Sequence, residues 1–253
     1  MGTLLLRLAG PMQSWGTQSR FTMRDTGLEP SKSGVIGLLC AALGRPRREP
    51  VDDLAALRLG VRVDWHGVMK ADYHTAGGGT LPDGSRYGVR KASGAAGDTV
   101  LSNRYYLADA DFLVGLDGED DDLLRRLHAA LREPVWQLYL GRKAFVPGVP
   151  VYVPGGLREG ERLEHALTCY PWPRLDMDVP PQRRHPDQLR LTVEDLEGHE
   201  VRMDQPQGDS FQTRRFLPRR VRNDFVELGP GDGKVPVRRE TEEDIDVLVA
   251  AGA

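Results

Sequence analysis

The sequence has little cysteine and no long hydrophobic run. Its two cysteines, Cys40 and Cys169, lie far apart and form no CxxC pair, which argues against a disulfide scaffold and is typical of a reducing cytoplasm. The apolar stretch at residues 1–10 is short and is interrupted by Arg7, so it predicts neither a signal peptide nor a membrane span. We therefore expect a soluble, cytoplasmic protein that does not contact a membrane.

An excess of positive charge is also missing. The 253 residues carry 34 Lys and Arg against 37 Asp and Glu, a net charge of −3, whereas a strongly basic chain would itself indicate a nucleic-acid partner. With 40% hydrophobic and 28% charged residues the chain is globular, and it is long enough for one large domain or for one domain and a smaller appendage. Evidence for a nucleic-acid ligand must therefore come from local charge.

Common enzyme signatures are absent from the sequence. The six histidines form no HExxH motif, no cysteine and histidine spacing suits zinc, and neither a GxxxxGK[ST] loop nor a GxSxG elbow occurs. The acidic residues at 52–53 and 120–122 stand at predicted helix starts, where capping explains them better than metal binding. We expect no catalytic residue, no metal and no cofactor.

One triplet keeps a nuclease hypothesis open. A metal-free ribonuclease needs a general base, a general acid and a cation that stabilises the phosphorane charge. Tyr73, His74 and Lys70 could fill these roles, although a structural histidine explains His74 better. A repeat-RNA endoribonuclease is therefore the alternative function.

Apolar patterning predicts an α+β fold. Strands are expected at residues 3–9, 57–65 and 108–116, with a fourth strand somewhere within 135–153. A first helix begins at a cap supplied by Ser31 or Ser33 and ends near Gly44, and a second helix begins at residues 120–122 and ends before Pro134.

A glycine-rich stretch interrupts this order between the second and third strands, from residue 66 to about 106. It is too long for an ordinary connection and indicates a functional insertion. The predicted order is strand, helix, strand, insertion, strand, helix, strand. Apart from the insertion, this is the order of a ferredoxin-like antiparallel sheet. The last hundred residues predict a small β-rich region with a hairpin at 189–203, which turns near residues 197–198, and an acidic, solvated tail at 240–246.

Positive charge is clustered locally in three segments. Arginines alternate with Phe211 and Phe216 between residues 211 and 222, others lie in the glycine-rich insertion, and Arg142 and Lys143 follow Tyr139. Arginine binds phosphate and aromatic rings stack on unpaired bases, which is how single-stranded RNA is held. For the 211–222 window, scattered surface arginine remains an equal explanation.

Four segments resemble one protein family in order along the chain. They are LRLAGPMQSWG at residues 6–16, PSKSGVIGLL at 30–39, DYHT at 72–75 and LYLGRK at 138–143. Together they resemble the CasD family, the fifth-numbered Cas protein of type I-E CRISPR Cascade and a member of the RAMP superfamily. The resemblance spans residues 4 to about 153, with a looser similarity at 214–228.

The resemblance implies a ferredoxin-like palm over residues 1–153, with a β-hairpin thumb at about 74–105, followed by a C-terminal region at 154–253. It implies a non-catalytic subunit that holds the 5′ handle of the guide RNA, contacts the backbone subunit CasC and the large subunit CasA, and meets target DNA indirectly. Type I-C relatives cleave repeat RNA, which agrees with the alternative given above.

The sequence and the resemblance together give a set of expected RNA contacts. Backbone N–H groups at the start of the first helix, with Lys32, predict an anion site. Gln13 is expected to read a base edge, and Trp15 either stacks on a base or packs in the core. The full set of expected RNA-binding residues is Gln13, Trp15, Gly16, Lys32, Ser33, His74, Arg86, Arg90, Lys91, Arg104, Tyr139, Gly141, Arg142, Lys143, Arg214 and Arg215.

Overall fold

The computed structural model describes residues 1–17, 22–89, 93, 97–172, 188–207, 211 and 215–227. Arg90, Lys91, Arg214 and the predicted acidic tail at 240–246 lie outside these ranges, and the side chain of Arg86 is not described either. No helix within these ranges is long and apolar enough to cross a membrane.

The described residues form thirteen strands and four helices. In chain order they are β1 (Gly2–Ala9), β2 (Met12–Gln13), β3 (Met23–Arg24), α1 (Lys32–Leu43), α2 (Asp52–Ala55), β4 (Arg58–Trp65), β5 (Val68–Ala76), β6 (Gly79–Thr80), β7 (Arg86–Tyr87), β8 (Val100–Ala108), β9 (Asp111–Gly118), α3 (Asp121–Arg132), β10 (Tyr152–Glu159), α4 (Leu163–Cys169), β11 (Gln188–Glu194), β12 (Glu200–Pro206) and β13 (Phe216–Glu227).

Seven of these strands form one sheet in the order β10-β1-β9-β4-β11-β13-β12. Every neighbouring pair in it is antiparallel. The three C-terminal strands therefore extend the sheet of the N-terminal part and do not build a sheet of their own.

The sheet carries an apolar layer on each face. Leu4, Leu6 and Leu8 of β1 join the larger core, which includes apolar residues of α1 and α3. Leu5, between them, joins a smaller core with α4. Successive side chains of a strand point to opposite faces, so a strand buried on both faces reads as a continuous apolar run.

Both long helices begin at side-chain caps. The Ser31 hydroxyl accepts a hydrogen bond from the Gly34 N–H, and an Asp120 carboxylate oxygen accepts one from the Leu123 N–H. Ser31 is thus the cap of α1, and Ser33 lies inside the helix. The helices end at Leu43 and Arg132, just before Gly44 and Pro134, as predicted.

The glycine-rich insertion contains a long hairpin. β5 and β8 pair in an unbroken antiparallel ladder from Val68 with Ala108 to Ala76 with Val100. The opposite edge of β8 is paired with the short strands β2 and β3. β6 and β7 form a smaller hairpin within the connection.

Two predicted strands are shifted toward the C-terminus. The strand placed at 108–116 is β9 at Asp111–Gly118, because the residues up to Ala108 belong to β8. The strand sought within 135–153 is β10, which begins only at Tyr152. The backbone N–H groups of Val135 and Trp136 instead bind the carbonyl oxygens of Ala42 and Ala41, so this segment satisfies the end of α1.

The hairpin predicted at residues 189–203 is wrong in its pairing. β11 and β12 exist, and the turn near residues 197–198 is present, since the Gly198 N–H binds the Asp195 carbonyl oxygen. However, β11 pairs with β4 and β13, while β12 pairs with β13. The twelve-residue β13 lies between the two strands, which residues 189–203 alone do not reveal.

Candidate nucleic-acid interface

A groove of about 1330 Å³ opens beside α1. Its walls come from residues 14–17, from one face of α1 with the residues that follow it, and from residues 136–143. The cationic lining residues are Arg24, Arg45, Arg47 and Lys143, and no Asp or Glu lines the groove within the described part of the chain. Arg45 is held by Asp53, at 2.6 and 2.8 Å, and so contributes less free charge than the other three.

Aromatic rings stand among these cations. Trp136 is 48% exposed, and Tyr139, Phe211 and Phe216 are partly exposed where they line the groove. Cations that reach phosphates, together with rings that stack on bases, are the two elements of single-strand binding.

Gln13 has no free polar hydrogen to offer a base. Its side chain is fully buried, and its amide group donates to the carbonyl oxygens of Leu8, at 3.0 Å, and Ala110, at 2.7 Å. Its amide oxygen accepts from the Trp15 indole N–H at 3.2 Å. The predicted base-reading role is therefore corrected: Gln13 ties the loop after β1 to the sheet.

Trp15 packs in the core and forms part of the groove floor. It is 1% exposed, and its ring lies so close to Gly34 of α1 that a Cβ at Gly34 would stand 2.9 Å from Trp15 Cε3. Of the two roles left open for Trp15, the structure shows packing. The exposed Gly16 follows it at the groove rim.

The loop of residues 138–145 is joined to the loop before Trp15 through Gly141. Gly141 has φ +86°, and a Cβ there would lie 1.7 Å from the Ser14 carbonyl oxygen. The Ser14 N–H binds the Leu140 carbonyl oxygen at 3.1 Å. Only glycine allows this approach, so Gly141 fixes the groove walls that carry Tyr139 and Lys143.

The groove face of α1 carries mostly small side chains. Its lining residues are Ser33, Gly34, Gly37, Leu38, Cys40 and Ala41, and a Cβ at Gly37 would meet no described atom within 4 Å. Glycine inside a helix costs roughly 1 kcal/mol relative to alanine. Among the described residues, no packing contact accounts for this cost at Gly37.

The anion site predicted at the start of α1 is already filled by the protein. The Lys32 N–H donates to Asp204 Oδ2 at 2.7 Å, and the Lys32 ammonium group contacts both carboxylate oxygens of Glu194, at 3.0 and 2.9 Å. Lys32 is 1% exposed, and this burial lowers its pKa. The predicted contact between Lys32 and phosphate is therefore corrected: Glu194 of β11 and Asp204 of β12 supply the anions.

Arg142 joins its loop to the β5/β8 hairpin. Its guanidinium group donates to the Tyr105 carbonyl oxygen at 2.9 Å and lies over the Phe145 ring, 5.4 Å from its centroid. Burial and the nearby cations Arg104 and Arg24 lower the Arg142 pKa. Arg24, Arg104 and Arg142 therefore lie close together where the hairpin meets the groove, with Asp72 and Asp25 beside them.

The remaining predicted residues are divided between the groove and other surfaces. Lys143 is exposed on the groove wall, and Arg215 is exposed next to β13. His74 is partly exposed on β5, with its Nδ1 atom 3.7 Å from Asp72. The groove thus brings together Trp15, Gly16, Ser33, Tyr139, Gly141 and Lys143.

The sequence interpretation missed several groove residues, among them Arg24, Arg47, Trp136 and Gly37. A signal for two of them was present. Arg45, Arg47 and Arg48 directly follow the end of α1, and Trp136 comes just before the LYLGRK segment. Arg24 and Gly37 carry no such signal, because their position at the groove follows from the folded chain.

Comparison with known proteins agrees with this geometry. The chain is 34% identical over 183 residues to the CRISPR system Cascade subunit CasD of Escherichia coli (strain K12). The alignment covers 66% of this chain and 76% of that protein. A solved structure described as a Cas protein shares 46% identity with a TM-score of 0.68, covering 90% of this chain and 99% of the other. A chain of a CRISPR RNA-guided surveillance complex shares 34% identity with a TM-score of 0.71, covering 99% and 100%.

The family model described as CRISPR-associated protein (Cas_Cas5) matches residues 3–222. This match extends over the N-terminal part of the sheet, over β11 and β12, and over the first part of β13. The chain therefore belongs to this family of CRISPR-associated proteins.

Proposed function

We propose that this chain is the CasD-type subunit of a type I-E Cascade, and that it binds the 5′ handle of the guide RNA without cleaving it. The observation that carries the proposal is the groove beside α1, which combines cations, exposed aromatic rings and an open position at Gly37 on the helix face. The similarity to the Cascade subunit CasD and to a chain of an RNA-guided surveillance complex supports it.

Two features of the fold support a palm and a thumb. Strands β10, β1, β9 and β4, with α1 and α3, have the order of a ferredoxin-like palm, and the β5/β8 hairpin stands where a thumb is expected. Because β10 runs from Tyr152 to Glu159, we place the end of the palm after Glu159 and not at residue 153. The C-terminal strands then widen the palm.

Cleavage is disfavoured by the arrangement of the three candidate groups. On β5, Lys70 and His74 are separated by an even number of positions, whereas Tyr73 is an odd number of positions from each of them. Neighbouring side chains of a strand point to opposite faces, so Tyr73 lies across the hairpin from the other two. A repeat-RNA endoribonuclease that uses this triplet therefore has no common site.

The partners follow from the same assignment. We propose that the chain contacts the backbone subunit CasC and the large subunit CasA, and that it meets target DNA only through the assembled complex. A cytoplasmic location agrees with the two free cysteines, Cys40 and Cys169.

The first test is the salt dependence of handle-RNA binding by the purified protein. For a single strand, log affinity falls with log salt at a slope of roughly −0.7 for each neutralised phosphate. We expect the double variant Arg47→Glu/Lys143→Glu to bind at least about tenfold more weakly, with a slope shallower by about 1.4.

The matched control is Arg126→Glu, since Arg126 is an exposed arginine of α3 that does not line the groove. It should leave affinity and slope unchanged. Equal effects of the groove and control variants would mean that the groove is not the RNA site.

A steric test uses Gly37. Gly37→Ala should leave RNA affinity near that of the wild type and stabilise the helix by about 1 kcal/mol. Gly37→Phe should fold equally well, because the position is open, but should weaken RNA binding by an order of magnitude. Unchanged affinity in Gly37→Phe would contradict occupation of the groove.

A further inference from the structure

The groove beside α1 carries positive charge that no described residue neutralises. Arg24, Arg47 and Lys143 line it, and none of the three forms a salt bridge with a described acidic residue. Leu38 and Phe216 add apolar lining on the same walls. The groove therefore fits a ligand that combines several anionic groups with apolar or ring surface, and RNA is one such ligand.

The end of the chain combines the same two properties. Residues 240–246 have the sequence ETEEDID, with five carboxylate side chains and no cation, and residues 247–250 have the apolar sequence VLVA. We call residues 240–250 the C-terminal segment; they lie outside the described ranges. In charge and in apolar character this segment is complementary to the groove.

The chain between β13 and this segment is long enough to reach the groove. Phe216, the first residue of β13, lines the groove, and the strand ends at Glu227. At about 3.3 Å per residue, β13 carries the chain roughly 36 Å away from Phe216. Residues 228–240 span at most about 43 Å when extended. The first carboxylate of the C-terminal segment can therefore return to the groove of its own chain.

A segment that is part of the same chain needs only weak affinity to fill the groove. Joined to its site by a linker of this kind, it acts at an effective concentration on the order of 1 mM. A dissociation constant on the order of 0.1 mM then closes the groove in about nine chains of ten. The apparent affinity of every groove ligand falls by the same factor, about tenfold.

We infer that the C-terminal segment occupies the groove of the free chain and that handle RNA displaces it. The carboxylates of residues 240–246 contact Arg24, Arg47 and Lys143, and residues 247–250 pack on the apolar lining. The inference rests on the proposed function, since only there is the groove the RNA site. Weak anionic ligands are thereby kept out of the groove, while a ligand that neutralises more cations still enters.

The first experiment removes the charge of the segment in the full-length chain by the triple variant Glu242→Gln/Glu243→Gln/Asp244→Asn. We expect handle RNA to bind at least about threefold more tightly than to the wild type at low salt, because the competitor is weakened. Salt also releases the segment from the wild-type groove, so the variant should show the steeper fall of log affinity with log salt. Fluorescence anisotropy over a salt series measures both.

The matched control removes the same charge from exposed carboxylates that do not line the groove, by Glu119→Gln/Glu197→Gln/Asp224→Asn. Its affinity should stay within about twofold of the wild type, with the same salt slope, since exposed charges far from the site are largely screened. An unchanged affinity in the segment variant, or an equal gain in the control, would overturn the inference.

A second measurement needs no variant. Lys143 is the one lysine among the described groove residues, and a carbodiimide joins an ammonium group directly to a carboxylate in contact with it. Mass spectrometry of the free wild type should show a link between Lys143 and residues 240–246, which handle RNA or about 1 M salt abolishes. Links to Lys234, which precedes the segment in the sequence, should persist with RNA.

Two outcomes of the cross-linking contradict the inference. Links at Lys234 without any at Lys143 would mean that the segment does not occupy the groove. A mixture of ¹⁴N- and ¹⁵N-labelled chains shows whether a link joins two molecules, and links at Lys143 between different chains alone would assign the groove to the segment of a second copy.

The two proposals fail in different ways. If neither the wild type nor the segment variant binds handle RNA, the proposed function is contradicted, and the cross-link, which is measured without RNA, still decides on the segment. If the wild type binds handle RNA but forms no link at Lys143, only the inference is contradicted.

Discussion

The arginines of β13 and the cations of the groove carry the same charge, but they differ in whether an acidic side chain contacts them. Arg219 of β13 is buried and binds both carboxylate oxygens of Asp204, at 2.6 and 2.9 Å, and Arg222 lies within 4 Å of Asp195 and Glu164. Arg24, Arg47 and Lys143 form no salt bridge within the described ranges. A cation that is paired with an acidic side chain contributes to stability. A cation without such a partner is available to bind a ligand.

Removing Arg219 should give the largest effect of this comparison. Arg219→Ala leaves Asp204 without its guanidinium partner at the buried start of α1, and breaking a buried pair costs about 3–5 kcal/mol. Denaturant unfolding should show this loss in the free energy of unfolding. Arg220→Ala is the control, because Arg220 is exposed and donates only to the Gly198 carbonyl oxygen. A loss below about 1 kcal/mol for Arg219→Ala would contradict a structural role.

The second prediction separates stability from binding at two exposed residues. Lys143→Ala and Arg222→Ala should each change the free energy of unfolding by less than about 1 kcal/mol, since exposed charges contribute little. Lys143→Ala should weaken handle-RNA binding severalfold, and Arg222→Ala should leave it unchanged. Fluorescence anisotropy at fixed salt measures both. Equal weakening by the two variants would remove the distinction between paired and open cations.

The smallest effect concerns the pH dependence of stability through Lys32. Burial lowers its pKa below the usual 10.5, so between the two pKa values the unfolded chain binds more protons than the folded chain. Stability due to Lys32 therefore rises with pH through this interval and levels off above about 10.5. The free energy of unfolding of the wild type minus that of Lys32→Met should increase as the pH is raised from 7.5. A difference that is constant with pH would contradict the lowered pKa.

The N-terminal elements could be predicted well from the sequence because their signals are local. The apolar run of β1, the cap and apolar periodicity of α1, and the acidic start of α3 each lie within a dozen residues. The position of β13 between β11 and β12 could not be predicted, since β12 and β13 could each pair with the free edge of β11. The hydrophobic pattern gives no information on that competition.

Two of the site predictions were corrected for a related reason. Gln13 and Lys32 are residue types that bind nucleic acid, and both lie in segments that resemble the family. Their polar groups are instead bound to the Leu8 carbonyl oxygen and to Glu194, respectively. A polar residue in a motif supports a protein contact as well as a ligand contact, and only the positions of its neighbours decide between them.

The position of β13 has a consequence for how the chain is made. The ladder partner of β12 is β13, a strand that follows it in the sequence, and β12 carries Asp204, the anion at the start of α1. During synthesis, Asp204 is therefore fixed at the start of α1 only after the chain has reached Glu227. A chain that ends before Phe216 lacks β13, so β11 keeps an open edge, and open strand edges favour aggregation and chaperone binding.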